Sequence, residues 1–107
     1  MSDVVDGQVF NALGDPTRRR IVESLSHGEA SATQLAADLP VTRQAVAKHL
    51  AALREAGLVE SRQQGRETLY RVNVAPLDAA AAWIVRVGGE WDARLERLRT
   101  LVESRRG

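Results

Sequence analysis

The chain has 107 residues, of which 44% are hydrophobic and only 4% aromatic, which fits one small domain with an aliphatic core. It contains no cysteine, so disulfides and thiolate metal sites are excluded. The net charge of +1 argues neither for nor against nucleic-acid binding, and any basic surface must therefore be local. A core this small is commonly supplemented by a partner chain.

The N-terminal segment carries acidic residues and no apolar run, so we expect no signal peptide. No stretch approaches the roughly 18 consecutive apolar residues of a membrane-spanning helix. These features predict a soluble cytoplasmic protein that makes no membrane contact.

The first predicted helix covers residues 4–13. Val5, Val9 and Ala12 recur at helical spacing, and Gly14 ends the pattern. Isolated helices of this length are marginal in water, so this helix must dock on another apolar surface.

A second helix follows directly. Asp15 is a preferred N-cap and Pro16 a preferred first-turn residue, and the helix runs to about Ser26. Its core side is formed by Ile21, Val22 and Leu25. Three consecutive arginines, residues 18–20, lie in its first turns and cannot all share one face. They are ion-paired or solvated, or one of them contacts DNA phosphates, and the sequence leaves these alternatives open.

The next two helices form a predicted helix-turn-helix. Ser31 and Gln34 make a capping box for a short helix that Pro40 ends. Thr42 then caps a longer helix, and Gly57 suits the left-handed residue that ends it. The connection between the two helices is only about three residues long, as in DNA-binding helix-turn-helix motifs.

The longer helix has two unlike sides. Its core side is predicted to consist of Val46, Leu50 and Leu53. The opposite side, here called the reading face, consists of Gln44, Ala47, Lys48 and Ala51. Its small side chains let the helix backbone approach a surface closely, and Arg43, Gln44 and Lys48 carry groups that bind base edges and phosphates. We interpret it as a DNA-recognition helix; an ordinary surface helix is the alternative.

An extended pattern follows. Residues 58–63 and 67–73 are two short runs around a glycine-containing turn, which predicts a β-hairpin. Arg66 lies at its tip, and Arg62 and Arg71 lie on its flanks. They form either a basic finger that contacts DNA phosphates or a solvated loop.

The last predicted helix covers residues 76–103. Apolar or small residues recur in it at alternating spacings of four and three, an arrangement here called the apolar seam. The apolar seam consists of Leu77, Ala81, Ile84, Gly88, Trp91, Leu95, Leu98 and Val102. One small domain can hardly cover this seam and Trp83 as well, so a partner subunit is the better explanation. Gly88 and Gly89 mark either close helix packing or a kink.

Together these segments resemble the arsenic-repressor (ArsR) family of bacterial winged helix-turn-helix regulators. The resemblance rests on four features: ALGDPTRRRIVESL, TRQAVAKHLAALREAGLV, a hairpin with R-x-x-G and the later Tyr70, and a final helix with W followed by W-x-x-R-L. It extends from about Val9 to about Val102. It implies a mainly α fold with a small β-hairpin in the order α-α-α-α-β-β-α. It also implies a homodimer, formed by the first and last helices, that binds an imperfect palindrome in promoter DNA and represses transcription.

The resemblance also implies roles for particular residues. The helix-turn-helix maps onto residues 31–56 and the wing onto residues 58–73. The implied DNA-contacting residues are Thr42, Arg43, Gln44 and Lys48. From the charge of the hairpin, we also predict DNA contacts by Arg62 and Arg66. The implied dimer interface contains Val5, Val9, Ile84, Gly88, Trp91, Leu95 and Leu98. His49 lies where the family commonly has a histidine beside a core leucine, and we expect it to pack or to support its neighbours.

The chain departs from the metal-sensing members of that family. Those members use paired cysteines before the recognition helix, or Asp and His together with His and Glu on the last helix, whereas this chain has no histidine after His49. The carboxylates of the last helix, Asp78, Glu90, Asp92 and Glu96, make a poor transition-metal site. We therefore expect no metal site and no cofactor. Release from DNA would come from an unidentified small apolar effector near Trp83 and Trp91, from another protein, or from a change in abundance.

Two other functions compete with a DNA-binding repressor. A winged-helix protein-interaction module shares the fold, but the reading face favours DNA. An enzyme is not expected, because the sequence shows no activated nucleophile, no carboxylate pair of an active-site cleft and no glycine-rich phosphate loop.

Overall fold

In the computed structural model, which describes residues 7–106, five α-helices are combined with a small three-stranded antiparallel sheet. The elements are α1 (Gly7–Leu13), α2 (Pro16–Leu25), β1 (Ala30–Ser31), α3 (Ala32–Asp38), α4 (Arg43–Glu55), β2 (Val59–Gln64), β3 (Glu67–Val72) and α5 (Val74–Arg106). The predicted winged helix-turn-helix fold is confirmed. Val5 lies outside the described residues.

The structure contains a strand that the sequence did not predict. β1 is two residues long and pairs with β3, with Ala30 opposite Tyr70 and Ser31 opposite Leu69. In the sheet, the strand order is β1-β3-β2. Because β1 precedes α3, the order of elements along the chain is α-α-β-α-α-β-β-α instead of the predicted α-α-α-α-β-β-α. Two residues are too few to show alternation, and Ser31 gives the stronger signal of a helix cap. Its Oγ accepts from the Gln34 N–H at 3.1 Å, and its own N–H donates to Gln34 Oε1 at 2.8 Å, which confirms the capping box.

The predicted hairpin is confirmed, with a tighter turn than expected. β2 and β3 pair from Val59 opposite Val72 to Gln64 opposite Glu67, so only Gly65 and Arg66 form the turn. Gly65 has φ of 63°, whereas no non-glycine residue among those described has positive φ. This combination fits a type II′ turn, whose twist matches that of the flanking strands.

The predicted ends of α4 are also confirmed. Thr42 Oγ1 accepts from the Ala45 N–H at 3.1 Å. At the other end Gly57 has φ of 78°, the Gly57 N–H donates to the Arg54 carbonyl at 3.0 Å, and the Leu58 N–H donates to the Leu53 carbonyl at 2.9 Å. This pair of bonds is a Schellman motif, and it leads the chain directly from α4 into β2.

The core lies between the first four helices and the base of the hairpin. Its fully buried members are Ile21, Leu35, Val46, Leu50, Leu53 and Leu58. Val9, which the resemblance places at the dimer interface, is only 3% exposed in the single chain and packs into this core. Phe10 faces outward instead, and its ring packs edge-on against Trp83 of α5 with 5.6 Å between the centroids.

Helix α5 extends well beyond this core. It begins at Val74, so Pro76 lies in its first turn instead of opening it, and its 33 residues span about 50 Å. The radius of gyration is 19.4 Å, compared with about 13 Å for a compact domain of this length. The helix is uninterrupted at Gly88 and Gly89, where an added Cβ would meet nothing within 4 Å in the described part of the chain. No helix within residues 7–106 has both the length and the apolar character needed to cross a membrane.

The cap of α2 gives stability a defined pH dependence. Asp15 Oδ1 accepts from the N–H groups of Arg18 at 3.1 Å and Thr17 at 2.8 Å. These bonds, that from Arg18 foremost, hold the pKa of the Asp15 carboxyl below its usual value. A lowered folded-state pKa means that the ionised cap contributes stability above the unfolded-state pKa. This contribution is lost as pH falls through the folded-state pKa.

Asp15→Asn keeps a capping oxygen but does not titrate. We therefore expect the wild type to be more stable than Asp15→Asn at neutral pH, and this difference in unfolding free energy to shrink as pH falls below about 4. Denaturant midpoints measured from neutral pH to about pH 3 test this. Asp15→Ala, which lacks the cap, should be less stable than Asp15→Asn throughout. A wild-type-to-Asn difference that stays constant across the range would contradict the role of the ionised cap.

Candidate nucleic-acid interface

The reading face of α4 is held outward by the burial of the opposite side. Three residues of that side are at most 1% exposed: Val46, Leu50 and Leu53. Gln44, Ala47, Lys48 and Ala51 are all exposed. Within residues 7–106, the Gln44 and Lys48 side chains have no hydrogen-bond or ion-pair partner. Their polar groups are thus available to an external ligand. The two alanines beside them are small, so a ligand can come close to the helix backbone.

The first two residues of the motif are partly engaged. Thr42 Oγ1 serves as the cap acceptor, which leaves its hydroxyl proton to donate elsewhere. Arg43 Nε donates to Thr33 Oγ1 at 3.0 Å, which directs the guanidinium toward α3 and leaves its two terminal nitrogens available. Both residues are exposed and suit contacts with the DNA backbone near the edge of a groove.

A cleft of about 310 Å³ joins α4 to the wing. Arg43, Gln44 and Ala47 line it from α4, while Arg66 and Tyr70 line it from the turn and β3. The structure thus brings two of the predicted recognition residues, Arg43 and Gln44, and the predicted wing-tip cation to one concave surface, which Thr42 and Lys48 do not line.

Two of the three wing arginines are neutralised within the chain. Arg62 donates to both carboxylate oxygens of Glu29, from Nε at 2.8 Å and from Nη2 at 2.7 Å. Arg71 donates to Glu60 Oε2, directly across the hairpin, from Nη2 at 2.8 Å. Only Arg66 of the three lacks a partner within residues 7–106. The basic finger predicted from the sequence therefore presents one unpaired cation, at its tip.

The Glu29–Arg62 pair also shifts the titration of both groups. The side-chain hydrogen bond from Arg62 is the main reason that the pKa of the Glu29 carboxyl lies below its usual value. The same bond raises the pKa of Arg62. Both side chains are substantially exposed, so this pair ties the loop before β1 to the wing without adding much stability.

His49 lies on the inner flank of α4, toward α2. Its Nδ1 accepts from Arg18 Nε at 3.4 Å, and Arg18 Nη1 also reaches the carbonyls of Asn11 at 3.5 Å and Ala12 at 3.4 Å. This arrangement links the C-terminal end of α1, α2 and the recognition helix. It agrees with the expected packing or supporting role of His49.

Two residues of this surface were missed by the sequence analysis. Thr33 orients Arg43 from ten positions away, and Glu29 pairs with Arg62 from 33 positions away. Only the opposite charges of Glu29 and Arg62 could have indicated their pairing, and Thr33 gave no signal. Across residues 7–106 the structure shows no group of three or more His, Cys, Asp or Glu side chains placed to hold a metal ion.

The chain is similar to known bacterial transcriptional regulators. A family model described as a helix-turn-helix domain matches residues 13–62. The chain is 44% identical over 72 residues to the HTH-type transcriptional regulator Rv2034 of Mycobacterium tuberculosis, with 67% of each chain covered. It is 33% identical over 106 residues to the arsenical resistance operon repressor of Escherichia coli, which covers 97% of this chain and 87% of that one.

A solved structure matches the fold over nearly the whole chain. It is an ArsR-like transcriptional regulator from Rhodococcus sp. RHA1, with a TM-score of 0.80, 48% sequence identity, and coverage of 91% of this chain and 89% of that one. The match extends beyond the helix-turn-helix, since residues 13–62 alone are less than half of the chain. The protein therefore belongs to the ArsR family of winged helix-turn-helix regulators, which bind DNA to control transcription and are not enzymes.

Proposed function

We propose that the protein is a homodimeric, sequence-specific repressor that binds an inverted repeat in promoter DNA and does not respond to metals. The observation that carries this proposal is the reading face of α4. Gln44 and Lys48 lack internal partners among the described residues, and Gln44 lines a cleft that also contains Arg66. The name of the Escherichia coli relative supports repression as the outcome.

The residues divide into base contacts and backbone contacts. Gln44 has the amide that pairs with an adenine edge in the major groove, and Lys48 follows one turn later on the same side. Arg66 at the wing tip is placed to contact phosphates, with Thr42 and Arg43 as further backbone contacts. Arg62 would first have to exchange Glu29 for a phosphate, so we assign it to holding the wing in place.

The proposed partner is a second copy of the chain, joined through α5. In the single chain, Ile84, Trp91, Leu95 and Leu98 of the apolar seam are each more than half exposed. A soluble monomer rarely exposes so continuous an apolar surface. Gly88 lies on this surface with open space above it, which lets a neighbouring helix approach closely. A two-fold dimer would place two α4 helices on successive major grooves, which requires an inverted repeat.

The test of the function is selection of DNA from a fragmented bacterial genome by the purified protein, followed by sequencing. A repressor of this kind should enrich a small set of fragments that share an inverted repeat with half-sites about one helical turn apart. Enrichment of no fragment over bulk DNA would instead favour a winged-helix protein-interaction module.

Base contacts and backbone contacts should respond differently to mutation. Gln44→Ala should cost ~1 to 3 kcal/mol on the preferred site and relax base preference there, because the lost contact is specific to a base. Arg66→Ala should weaken binding to specific and random DNA alike, and reduce the slope of log affinity against log salt by about one unit per subunit. Titrations on both DNAs at several salt concentrations measure the two effects.

Arg71→Ala is the matched control for Arg66, because it removes a wing arginine that already has an internal partner. Its salt slope should stay close to that of the wild type. If Gln44→Ala and Arg66→Ala lose affinity in equal proportion on every sequence, the division into base and backbone contacts is wrong.

The dimer is tested at Trp91, which is 54% exposed in the single chain. If the ring is buried between subunits, its removal should reduce the free energy of dimerisation by roughly 3 to 5 kcal/mol. Trp91→Ala should therefore sediment as a monomer at micromolar concentration and bind the inverted repeat weakly. Thr100→Ala alters the opposite side of α5, nine residues away, and should remain a dimer. A wild-type monomer that binds the repeat tightly would refute the proposed assembly.

Metal independence follows from the ligands available. The chain has no cysteine and two histidines, and His49 already accepts a hydrogen bond from Arg18. We expect zinc, cadmium, nickel or arsenite at low micromolar free concentration to change operator affinity by less than about threefold, a coupling below ~0.7 kcal/mol. DNA titrations with and without each ion measure this. A tenfold loss of affinity that a chelator reverses would reveal a metal site.

A further inference from the structure

The three consecutive arginines of α2 have three different environments. Arg18 is half-buried and reaches the carbonyl end of α1 and His49. Arg19 Nη1 donates to the Leu13 carbonyl at 2.7 Å, and so satisfies one of the free carbonyls at the end of α1. Arg20 is exposed and has no hydrogen-bond or ion-pair partner within residues 7–106. The first two arginines link α2 to neighbouring helices, whereas the third makes no hydrogen bond or ion pair in the described chain.

Arg20 lies at the turn of the helix-turn-helix. It lines a cleft of about 220 Å³ between the start of α2 and residues 39–41, which connect α3 to α4. Val41, on the far wall of this cleft, directly precedes Thr42, the N-cap of the recognition helix. The unpaired guanidinium is therefore close to the end of α4 that carries the recognition residues.

The wing and α2 lie on opposite flanks of α4. Successive helix residues are rotated by about 100°, so Arg43 and His49 lie on either side of Gln44. Arg43 contacts α3 through Thr33, and its flank faces the wing. His49 contacts Arg18, and its flank faces α2. The reading face thus lies between the wing, which carries the unpaired Arg66, and α2, which carries the unpaired Arg20 beside the turn that leads into α4.

We propose that Arg20 contacts a DNA phosphate on the side of the major groove away from the wing. This inference rests on the proposed DNA-binding function. A helix seated in the major groove, which is about 12 Å wide, has a phosphate backbone along each edge. Arg66 contacts one backbone and Arg20 the other, so the two cations fix the angle at which α4 enters the groove. The contact carries no base information, because phosphates are alike in every sequence.

The test compares Arg20→Ala with the wild type on the selected operator and on random DNA across a range of salt concentrations. The salt slope should fall by about one unit per subunit on both DNAs, while the preference for operator over random DNA stays unchanged. Arg20→Lys should retain most of the slope, since it keeps the charge. Arg20→Gln is a second neutral variant that retains a polar side chain and should behave like Arg20→Ala.

Arg97→Ala is the matched control. It removes the same charge from an exposed position of α5 that lies away from the reading face, so its slope should equal that of the wild type. An unchanged slope for both neutral Arg20 variants, with Gln44→Ala and Arg66→Ala behaving as expected, would overturn the role of Arg20 and leave the proposed function intact. A wild-type protein that enriches no DNA would overturn both.

Discussion

The packing of one side of α4 against the core determines where the candidate DNA-contacting groups of that helix lie. Val46, Leu50 and Leu53 are essentially inaccessible to solvent, and burial of each such side chain is worth about 1.5 to 3 kcal/mol. Rotating the helix by a single residue would expose all three. The apolar side therefore fixes the rotation of the helix, and Gln44 and Lys48 point outward as a consequence.

The two ends of α4 fix the positions of the segments that flank it. Thr42 ends the turn from α3 in a defined conformation, and the Schellman motif at Gly57 passes the chain directly into β2. Asn73 completes the connection, since its Nδ2 donates to the Gly57 carbonyl and its N–H donates to the Leu58 carbonyl. The base of the wing is thereby bonded to the C-terminal end of the recognition helix. Its outer part is held by the contact of Arg62 with Glu29.

The features that the sequence predicted well are those that local physics specifies. A cap such as Asp15 or Thr42 acts on backbone groups two or three residues away, and the apolar side of α4 repeats within four residues. The features that it missed depend on contacts between distant segments. The pairing of β1 with β3 joins residues about 40 positions apart, and the Glu29–Arg62 pair joins residues 33 apart.

Val9 shows a related limit of sequence-based prediction. Its helical spacing shows that it faces an apolar surface, but the pattern does not distinguish the core of its own chain from that of a partner. The three arginines of α2 are similar, because adjacent residues of one type receive different roles only when the neighbouring helices are in place. The candidate site was thus predictable on α4, where one element supplies it, and only partly predictable on the wing, where several elements meet.

The distribution of charge shows how few unpaired cations a DNA-binding protein of net charge +1 presents near its reading face. Most non-specific affinity for DNA comes from the number of phosphates that a protein neutralises. Here Arg62 and Arg71 are paired with carboxylates, and Arg18 and Arg19 donate to groups inside the fold. Each subunit is left with few cations around its reading face, so one subunit alone would hold random DNA weakly. In the proposed dimer, a second subunit would double the contacts only where both half-sites are present, because the spacing of the two α4 helices would have to match the DNA. Under the proposed assembly, the internal pairing of arginines would limit binding to bulk DNA, and the second half-site would supply much of the operator affinity.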